Sequence, residues 1–255
     1  MSTALVTGGT SGIGGAFARA LAARGDDLVL VARDADRLAE TARDLKERHG
    51  VSVETLAADL AQPADVARVA ERLSSQDQPI DLLVNNAGFG VRAKLTDADL
   101  SPHDHAIDVM VRAVLHLAGA AARAMRERGR GTILNVGSVA GYATLGDYSA
   151  IKSWVSVYTE SLAVELAGTG VQVTVLCPGW VRTEFHGRAR INSSSIPGPL
   201  WLDADALVAD ALADVAKGKV ISVPSLRYKV LMVFARHLPR GAMRRISGKI
   251  TASRH

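Results

Sequence analysis

Cysteine is almost absent from this chain, and long apolar runs are absent altogether. Cys177 is the single cysteine among 255 residues, which excludes an internal disulfide and indicates a reducing compartment. The first residues lack the basic start and apolar stretch of a secretion signal, and no run of about eighteen apolar residues occurs. We therefore expect a cytoplasmic protein that does not span a membrane.

Acidic residues are missing from the C-terminal segment. Residues 226–255 contain eight Lys or Arg and no Asp or Glu, which leaves 22 basic and 26 acidic residues in 1–225. Apolar residues alternate with these charges and Pro239 divides the segment, a pattern typical of two short basic amphipathic helices. One interpretation is peripheral attachment to an anionic membrane surface, and the other is a lid or subunit contact. Nucleic acid binding is not expected, because aromatic residues are sparse there.

Short aliphatic runs alternate with helical patterns along the rest of the chain. The predicted strands cover residues 4–7, 28–32, 51–57, 82–84, 132–136 and 171–176, with helices between them and the longest helix at about 103–128. Such alternation is typical of parallel strands joined by crossover helices. We predict one α/β domain with a Rossmann-type, doubly wound parallel sheet in three layers, α/β/α.

A glycine-rich segment follows the first predicted strand directly. Such a loop lets the backbone approach a pyrophosphate, whose charge is stabilised by free N–H groups at the start of the next helix. The alternative is a tight turn without a ligand. We predict a dinucleotide here, bound by Gly8, Thr10, Ser11, Gly12, Ile13 and Gly14.

The residue after the second strand bears on the choice of dinucleotide. A carboxylate at this place would hold the 2′-hydroxyl of NAD, but the chain has Arg33. A guanidinium can pair bidentately with a phosphate, and the hydroxyls of Thr10 and Ser11 lie in the neighbouring loop. We therefore predict NADP(H). The alternative is that Arg33 is a solvated charge for which Asp34 and Asp36 compete.

Tyr148 and Lys152 are four residues apart on a predicted helix, and Ser138 precedes Tyr148 by ten residues. Because residues i and i+4 share a helix face, the ammonium can lie close to the phenol and stabilise its anion. We expect this charge to lower the phenol pKa from about 10 towards neutrality. Ser138, Tyr148 and Lys152 are the predicted catalytic residues, and no metal site is predicted.

The chain also contains an Asn-Asn-Ala-Gly stretch at 85–88 and a Pro-Gly pair at 178–179. With all these motifs in this order, the chain resembles the short-chain dehydrogenases/reductases. The resemblance covers about residues 3 to 222. It implies further cofactor contacts, namely Asp59 and Leu60 at the adenine, Asn85 and Asn86 along the adenosine ribose, Val181 and Thr183 at the nicotinamide carboxamide, together with Ala87, Gly88, Pro178 and Gly179.

The resemblance also implies a reaction. Hydride passes between the nicotinamide and a carbonyl carbon, Tyr148 gives or takes the proton at oxygen, and Ser138 hydrogen-bonds the same oxygen. Lys152 would hold the ribose hydroxyls, so Tyr148 and Lys152 also count as cofactor-binding residues. Residues 1–225 would form the NADP-binding catalytic domain and 226–255 a C-terminal extension, in a homodimer or homotetramer.

One position departs from the family pattern, which usually carries Asn where this chain has Met110. A thioether is at best a weak hydrogen-bond acceptor and cannot replace an amide in a water-linked proton relay. Either a backbone carbonyl still anchors the relay water and activity survives, which we favour, or the relay is broken. In the second case the protein would be an NADP-binding sensor or scaffold with weak or no catalysis.

The resemblance implies that the segment 184–202 closes over the substrate. Its apolar side chains and Trp180 could line a pocket for a small, lipophilic carbonyl or alcohol, or they could pack on the core. They are Trp180, Phe185, Ile191, Ile196, Leu200 and Trp201.

Overall fold

Seven parallel strands form the central sheet of the protein. The computed structural model describes residues 2–91, 93–183 and 198–252. The strands are β1 Thr3–Thr7, β2 Asp27–Ala32, β3 Val53–Ala57, β4 Leu82–Asn85, β5 Gly131–Val136, β6 Val171–Leu176 and β9 Ile221–Ser222, and a separate parallel pair joins β7 Trp180–Val181 to β8 Trp201–Leu202. The order in the sheet is β3-β2-β1-β4-β5-β6-β9, which confirms the predicted doubly wound topology.

Helices connect the strands and cover both faces of the sheet. They are α1 Gly12–Ala23, α2 Ala35–His49, α3 Pro63–Ser74, α4 Ser101–Ile107, α5 Ala113–Arg128, α6 Asp147–Glu165, α7 Ala204–Ala216, α8 Leu226–His237 and α9 Arg240–Ala252, with a π turn at Asp108–Arg112 and 3-10 turns at Val139–Tyr142 and Gly198–Leu200. One buried cluster joins the sheet to α1, α2 and α7, and a second joins it to α3, α5 and α6. The predicted three layers are therefore confirmed.

The sheet order reverses between β1 and β4. From β1 the chain proceeds outwards to β2 and β3, and it then returns to add β4 on the opposite side of β1. In such sheets a crevice opens at the carboxyl ends of the strands where the order changes. The glycine-rich loop follows β1 and the Asn-Asn-Ala-Gly stretch begins at the end of β4, so both lie at this crevice.

A buried polar network connects β4 and β5 to α6. The amide of Asn85 donates to the side-chain oxygen of Asn135 at 2.9 Å, and the amide of Asn135 donates to the hydroxyl of Thr159 at 3.0 Å. Thr159 in turn donates to the carbonyl of Val155 at 2.6 Å. Because buried polar groups are costly to leave unpaired, this chain of bonds fixes α6 relative to the sheet.

The long predicted helix at 103–128 is interrupted. A π turn at Asp108–Arg112 divides the stretch Ser101–Arg128 into α4 and α5. In the part of the chain that the structure describes, this stretch alone has the length and composition to cross a membrane, and half of its apolar window is buried. Such burial is typical of a core helix, and the buried side chains of Leu117 and Met125 belong to the cluster beneath the sheet.

Candidate active site

The loop between β1 and α1 requires glycine at several positions. Gly8 and Gly12 have positive φ angles of 67° and 55°, which disfavour any residue with a Cβ. A Cβ on Gly14 would lie 2.2 Å from the carbonyl oxygen of Gly8, so the loop and the first turn of α1 pack backbone against backbone. Ser11 precedes α1 and its hydroxyl does not cap the helix. The first N–H groups of α1, which have no intrahelical partners, are thus left for an anion.

Asn86 braces this loop from the end of β4. Its side-chain amide donates to the carbonyl of Thr7 at 2.9 Å, and its backbone N–H donates to the Thr7 hydroxyl at 2.9 Å. Thr183 reaches the same loop from the second half of the chain, because a Cβ on Gly12 would lie 3.4 Å from the Cβ of Thr183. The structure therefore brings together residues that are about 170 positions apart in sequence.

Asn85 is placed differently from what the resemblance implied. Asn85 is buried, and its side-chain amide donates a hydrogen bond to Asn135 in the network between the strands. Its side chain supports the sheet, so a contact with a ribose would come from its backbone. Its role as a cofactor contact stays a prediction.

Arg33 lies at the end of β2 with an exposed side chain. The expected competition from Asp34 is reduced, because the Asp34 carboxylate caps α2 by accepting from the Arg37 N–H at 3.0 Å. Among the described residues, no ion pair or hydrogen bond holds the guanidinium of Arg33. A phosphate at this edge would find an available cation.

Asp59 and Leu60 follow the end of β3 at the same edge of the sheet. The Asp59 carboxylate accepts from the Ala61 N–H at 3.1 Å, and the Asp59 N–H donates to the carboxylate of Asp65 at 2.7 Å. Leu60 is buried in the cluster beneath α3. These bonds fix the turn after β3 beside the ends of β1 and β2.

Ser138, Tyr148 and Lys152 converge between the end of β5 and the start of α6. Lys152 is buried, and its ammonium donates to the carbonyl of Val136 at 2.7 Å. The Nζ atom lies 5.7 Å from the centre of the Tyr148 ring. Ser138 is buried as well, and its hydroxyl accepts from the Ala140 N–H at 3.1 Å and hydrogen-bonds Tyr148.

The protonation of this pair differs from the expectation. Burial raises the pKa of Tyr148 to about 12, and the hydrogen bond from Ser138 opposes that rise. Burial also lowers the pKa of Lys152 to about 8, while the charge of Cys177 acts in the opposite direction and raises this pKa. The prediction that Lys152 brings the Tyr148 pKa towards neutrality is wrong for this structure, because burial is the largest influence on the phenol and the ammonium is directed at the Val136 carbonyl.

Met110 lies in the π turn between α4 and α5 and is 1% exposed. A Cβ on Gly88 would lie 3.0 Å from the sulfur of Met110, so the thioether packs directly against the Asn-Asn-Ala-Gly stretch. Its contacts are those of a core residue. Both interpretations of this position, an altered relay and a broken one, stay predictions.

The loop after β6 carries Pro178, Gly179 and Val181. The Pro178 carbonyl accepts from the Val139 N–H at 3.0 Å, which joins this loop to the turn that contains Ser138. Val181 is buried in β7. The Trp180 and Trp201 rings lie 6.3 Å apart across the β7–β8 pair. The predicted pocket residues Phe185, Ile191 and Ile196 lie outside the described residues.

Tyr228 is a site neighbour that the sequence interpretation missed. Its hydroxyl donates to the carbonyl of Leu200 at 2.7 Å and accepts from the Trp180 N–H at 3.0 Å. A Cβ on Gly179 would lie 1.9 Å from the Cζ atom of this ring, so the phenol occupies the space that glycine leaves. No local sequence pattern indicates this role, because Tyr228 lies in a basic segment 48 residues from Trp180.

Comparisons with known proteins agree with this geometry. A family model described as short chain dehydrogenase matches residues 2–193. The chain is 34% identical over 216 residues to sulfoacetaldehyde reductase 2 of Chromohalobacter salexigens, covering 83% of this chain and 85% of that protein. The chain therefore belongs to the short-chain dehydrogenase family, and it is an oxidoreductase acting at a hydroxyl or carbonyl group.

Two solved structures are similar over nearly the whole chain. A short-chain dehydrogenase from Sphingobium yanoikuyae in complex with NADPH has a TM-score of 0.84 and 37% identity, covering 91% of this chain and 92% of that one. The bulky-bulky ketone specific alcohol dehydrogenase from Comamonas testosteroni has a TM-score of 0.80 and 32% identity, covering 94% and 95%.

Proposed function

We propose that the protein is an NADP(H)-dependent reductase of a small, lipophilic carbonyl compound, with Ser138, Tyr148 and Lys152 as its catalytic residues. The observation that carries this proposal is the convergence of the three side chains beside the crevice that the glycine-rich loop borders. With a pKa of about 12, Tyr148 stays protonated at neutral pH. A protonated phenol is the form that donates to a carbonyl oxygen, as reduction requires.

Each of the three proposed catalytic residues has a different role in the reaction. NADPH, when bound, supplies the hydride. Tyr148 donates a proton at the carbonyl oxygen, and Ser138 donates a hydrogen bond to the same oxygen. Lys152, whose pKa of about 8 leaves it mostly cationic at pH 7, stabilises the phenolate left behind.

Two observations support the preference for NADP(H). Arg33 presents an exposed guanidinium at the end of β2, and Asp34 beside it is engaged as a helix cap. The similar structure from Sphingobium yanoikuyae is a complex with NADPH. The free N–H groups at the start of α1 support the contacts predicted at the glycine-rich loop. The remaining predicted contacts are at 59–60, at 85–88, and at Pro178, Gly179, Val181 and Thr183.

The substrate preference rests on the apolar wall beside the site. Trp180 and Trp201 lie on adjacent strands at the start and end of the segment expected to close over the substrate. The similar structure from Comamonas testosteroni is that of a bulky-bulky ketone specific alcohol dehydrogenase. We infer a ketone or aldehyde with a sizeable apolar group as the substrate class.

Substitution of Tyr148 tests the proposed chemistry. Tyr148→Phe removes the proton donor and keeps the ring, so kcat for ketone reduction should fall by about 10²–10⁴-fold. NADPH binding, followed by fluorescence, should be little changed. The matched control is Tyr158→Phe, which removes a hydroxyl from the same helix ten residues further on and should keep turnover.

Turnover of Tyr148→Phe equal to that of the wild type would contradict the proposal. A different failure would be a wild-type protein that binds NADPH tightly but reduces no ketone or aldehyde in a broad panel. That outcome would favour the sensor or scaffold alternative. Recovery of turnover in Met110→Asn would then identify the broken relay as the cause.

Cofactor choice can be changed at Arg33. A charge-assisted bond to a phosphate is worth about 1.5–3 kcal/mol, so Arg33→Asp should lower kcat/KM for NADPH by about 10- to 100-fold. The value of kcat/KM for NADH should not fall by the same factor. Arg48→Asp is the control, because Arg48 pairs with Asp44 in the last turn of α2, away from the crevice. An unchanged ratio of NADPH to NADH activity would refute the role of Arg33.

A homo-oligomer is the assembly we infer. The outer faces of α5 and α6 expose Leu115, Val157 and Val164, and Val164 is 78% exposed. Both helices pack on the sheet with their opposite faces. An interface between copies of the chain along α5 and α6 would remove these side chains from water.

The C-terminal extension, residues 226–255, has two different faces along α8. Tyr228 and Met232 are buried against Val155, Val175 and Cys177, so one face is fixed to the catalytic part. Leu226, Val230, Val233 and Phe234 point away and are 48–76% exposed. The helices predicted on either side of Pro239 are confirmed as α8 and α9.

We propose that the exposed face of α8 rests on an anionic membrane surface. Arg227 and Lys229 flank the apolar side chains, and the extension has no acidic residue. Each basic side chain near such a surface contributes about 1 kcal/mol, and burial of a Phe or Leu adds about 1.5–3 kcal/mol. A second copy seated on the same face would bring two all-basic surfaces together, which charge repulsion opposes.

Vesicle sedimentation tests the membrane proposal. Wild-type protein should pellet with phosphatidylglycerol/phosphatidylcholine vesicles and not with pure phosphatidylcholine, and added salt should release it. Val230→Ser with Phe234→Ser should abolish pelleting while leaving Tyr228 in place. Leu100→Ser is the control, since Leu100 is 50% exposed on a different surface. Equal pelleting of wild type and double variant, or loss of the oligomer in the double variant, would overturn the proposal.

A further inference from the structure

His103, on α4, forms a bridge to the residue that precedes Tyr148. Its Nδ1 atom lies 2.9 Å from a carboxylate oxygen of Asp147, the first residue of α6. Its Nε2 atom lies 3.2 Å from the backbone carbonyl oxygen of Lys94, in the segment between β4 and α4. His103 is 7% exposed, so water does not replace these partners.

The two partners determine the protonation of the ring. A carboxylate and a carbonyl oxygen can only accept hydrogen bonds. A neutral imidazole has one N–H, so one of its nitrogens would direct a lone pair at an oxygen. The imidazolium has two N–H groups and satisfies both partners. The bridge is therefore complete only when His103 is a cation.

Charges on both neighbouring elements act in the same direction. The hydrogen bond from Asp147 is the largest influence that raises the pKa of His103, followed by the bond to Lys94 and the charges of Asp147 and Asp97, while burial lowers it. Asp97 also accepts from the Lys94 N–H at 2.8 Å, which holds the turn that presents the Lys94 carbonyl.

The segment between β4 and α4 has a second attachment to α4. The rings of Phe89 and His105 stack with their centres 5.0 Å apart. Phe89 follows Gly88 directly, so α4 holds this segment near its beginning through His105 and near Lys94 through His103. Only the second attachment continues to α6 and the catalytic tyrosine.

We propose that His103 is a positioning residue of the reductase: its imidazolium joins the segment after β4 to the first turn of α6 and holds the Tyr148 phenol in place beside Ser138. The proposal rests on the proposed function of Tyr148. Because the pKa of His103 is raised, the bridge is complete below the ordinary histidine pKa and is lost as pH rises through the higher value in the folded protein.

Asp147→Asn allows the bridge to form with an uncharged His103 ring. The amide of Asn can donate to Nδ1 while Nε2–H still donates to the Lys94 carbonyl, so a neutral ring satisfies both contacts. His103→Phe removes both contacts. His105→Phe is the matched control on the same helix, because it keeps an aromatic ring against Phe89.

The experiment combines NMR titration of the histidine rings with the pH profile of kcat/KM for ketone reduction. In the wild type and in His105→Phe, the His103 ring should titrate above its ordinary value, and kcat/KM should decline along the same curve. In Asp147→Asn, the decline of kcat/KM that follows the His103 titration should disappear. The decline of kcat/KM near pH 8, caused by deprotonation of Lys152, should remain. In His103→Phe, kcat should fall about 10- to 100-fold with KM for NADPH unchanged.

Titration of the His103 ring at or below its ordinary value would overturn the proposal, and so would a wild-type pH profile in both His103→Phe and Asp147→Asn. The ring titration needs no turnover and the Asn variant is nearly isosteric, so a misfolded Phe variant does not prevent the test. Failure of the proposed function is recognised separately, as full activity of Tyr148→Phe.

Discussion

The chemistry that we propose for this site depends on a positive charge kept almost out of water. Lys152 is 5% exposed, and among the described residues its ammonium donates to the carbonyl of Val136. Burial disfavours the charged form and lowers its pKa to about 8, yet most molecules stay cationic at pH 7. We propose that this charge stabilises the phenolate that forms when Tyr148 donates its proton, because screening by water is weak there. The same burial makes the charge sensitive to pH.

The parallel sheet creates this environment. Strands β5 and β6 end beside each other, and the turns that follow them carry Ser138 and Pro178. The start of α6 places Tyr148 and Lys152 against those turns, and the network from Asn85 through Asn135 to Thr159 fixes α6 in that position. At the order reversal, β1 ends at the glycine-rich loop and β4 ends at the Asn-Asn-Ala-Gly stretch. The proposed cofactor-binding and catalytic residues therefore meet because every strand points the same way.

Much of this arrangement could be predicted from local sequence patterns. The alternation of strands and helices determined the fold class, and the spacing from Gly8 to Gly14 reflects close backbone contacts that glycine alone permits. The two basic helices after Ser225 were predicted from charge, apolar spacing and Pro239, and the structure confirms them as α8 and α9. Such features are encoded within a few residues, where steric and helical periodicity act directly.

Other properties depend on contacts between distant parts of the chain. The pKa of Tyr148 was expected to fall, but its direction depends on how deeply the fold buries the phenol. Tyr228 contacts Trp180 across 48 residues, and His103 contacts Asp147 across 44, with no local pattern to link either pair. Asn85 was assigned to the cofactor by its motif, while the structure uses its amide inside the sheet.

The buried ammonium can be measured directly. Carbon-13 NMR titration of the ε-methylene of Lys152, assigned by its absence in Lys152→Met, reports the pKa of this single group. We predict a value of about 8 in the folded protein. A value near 10.5, the ordinary pKa of lysine, would mean that the ammonium is solvated and would contradict the account.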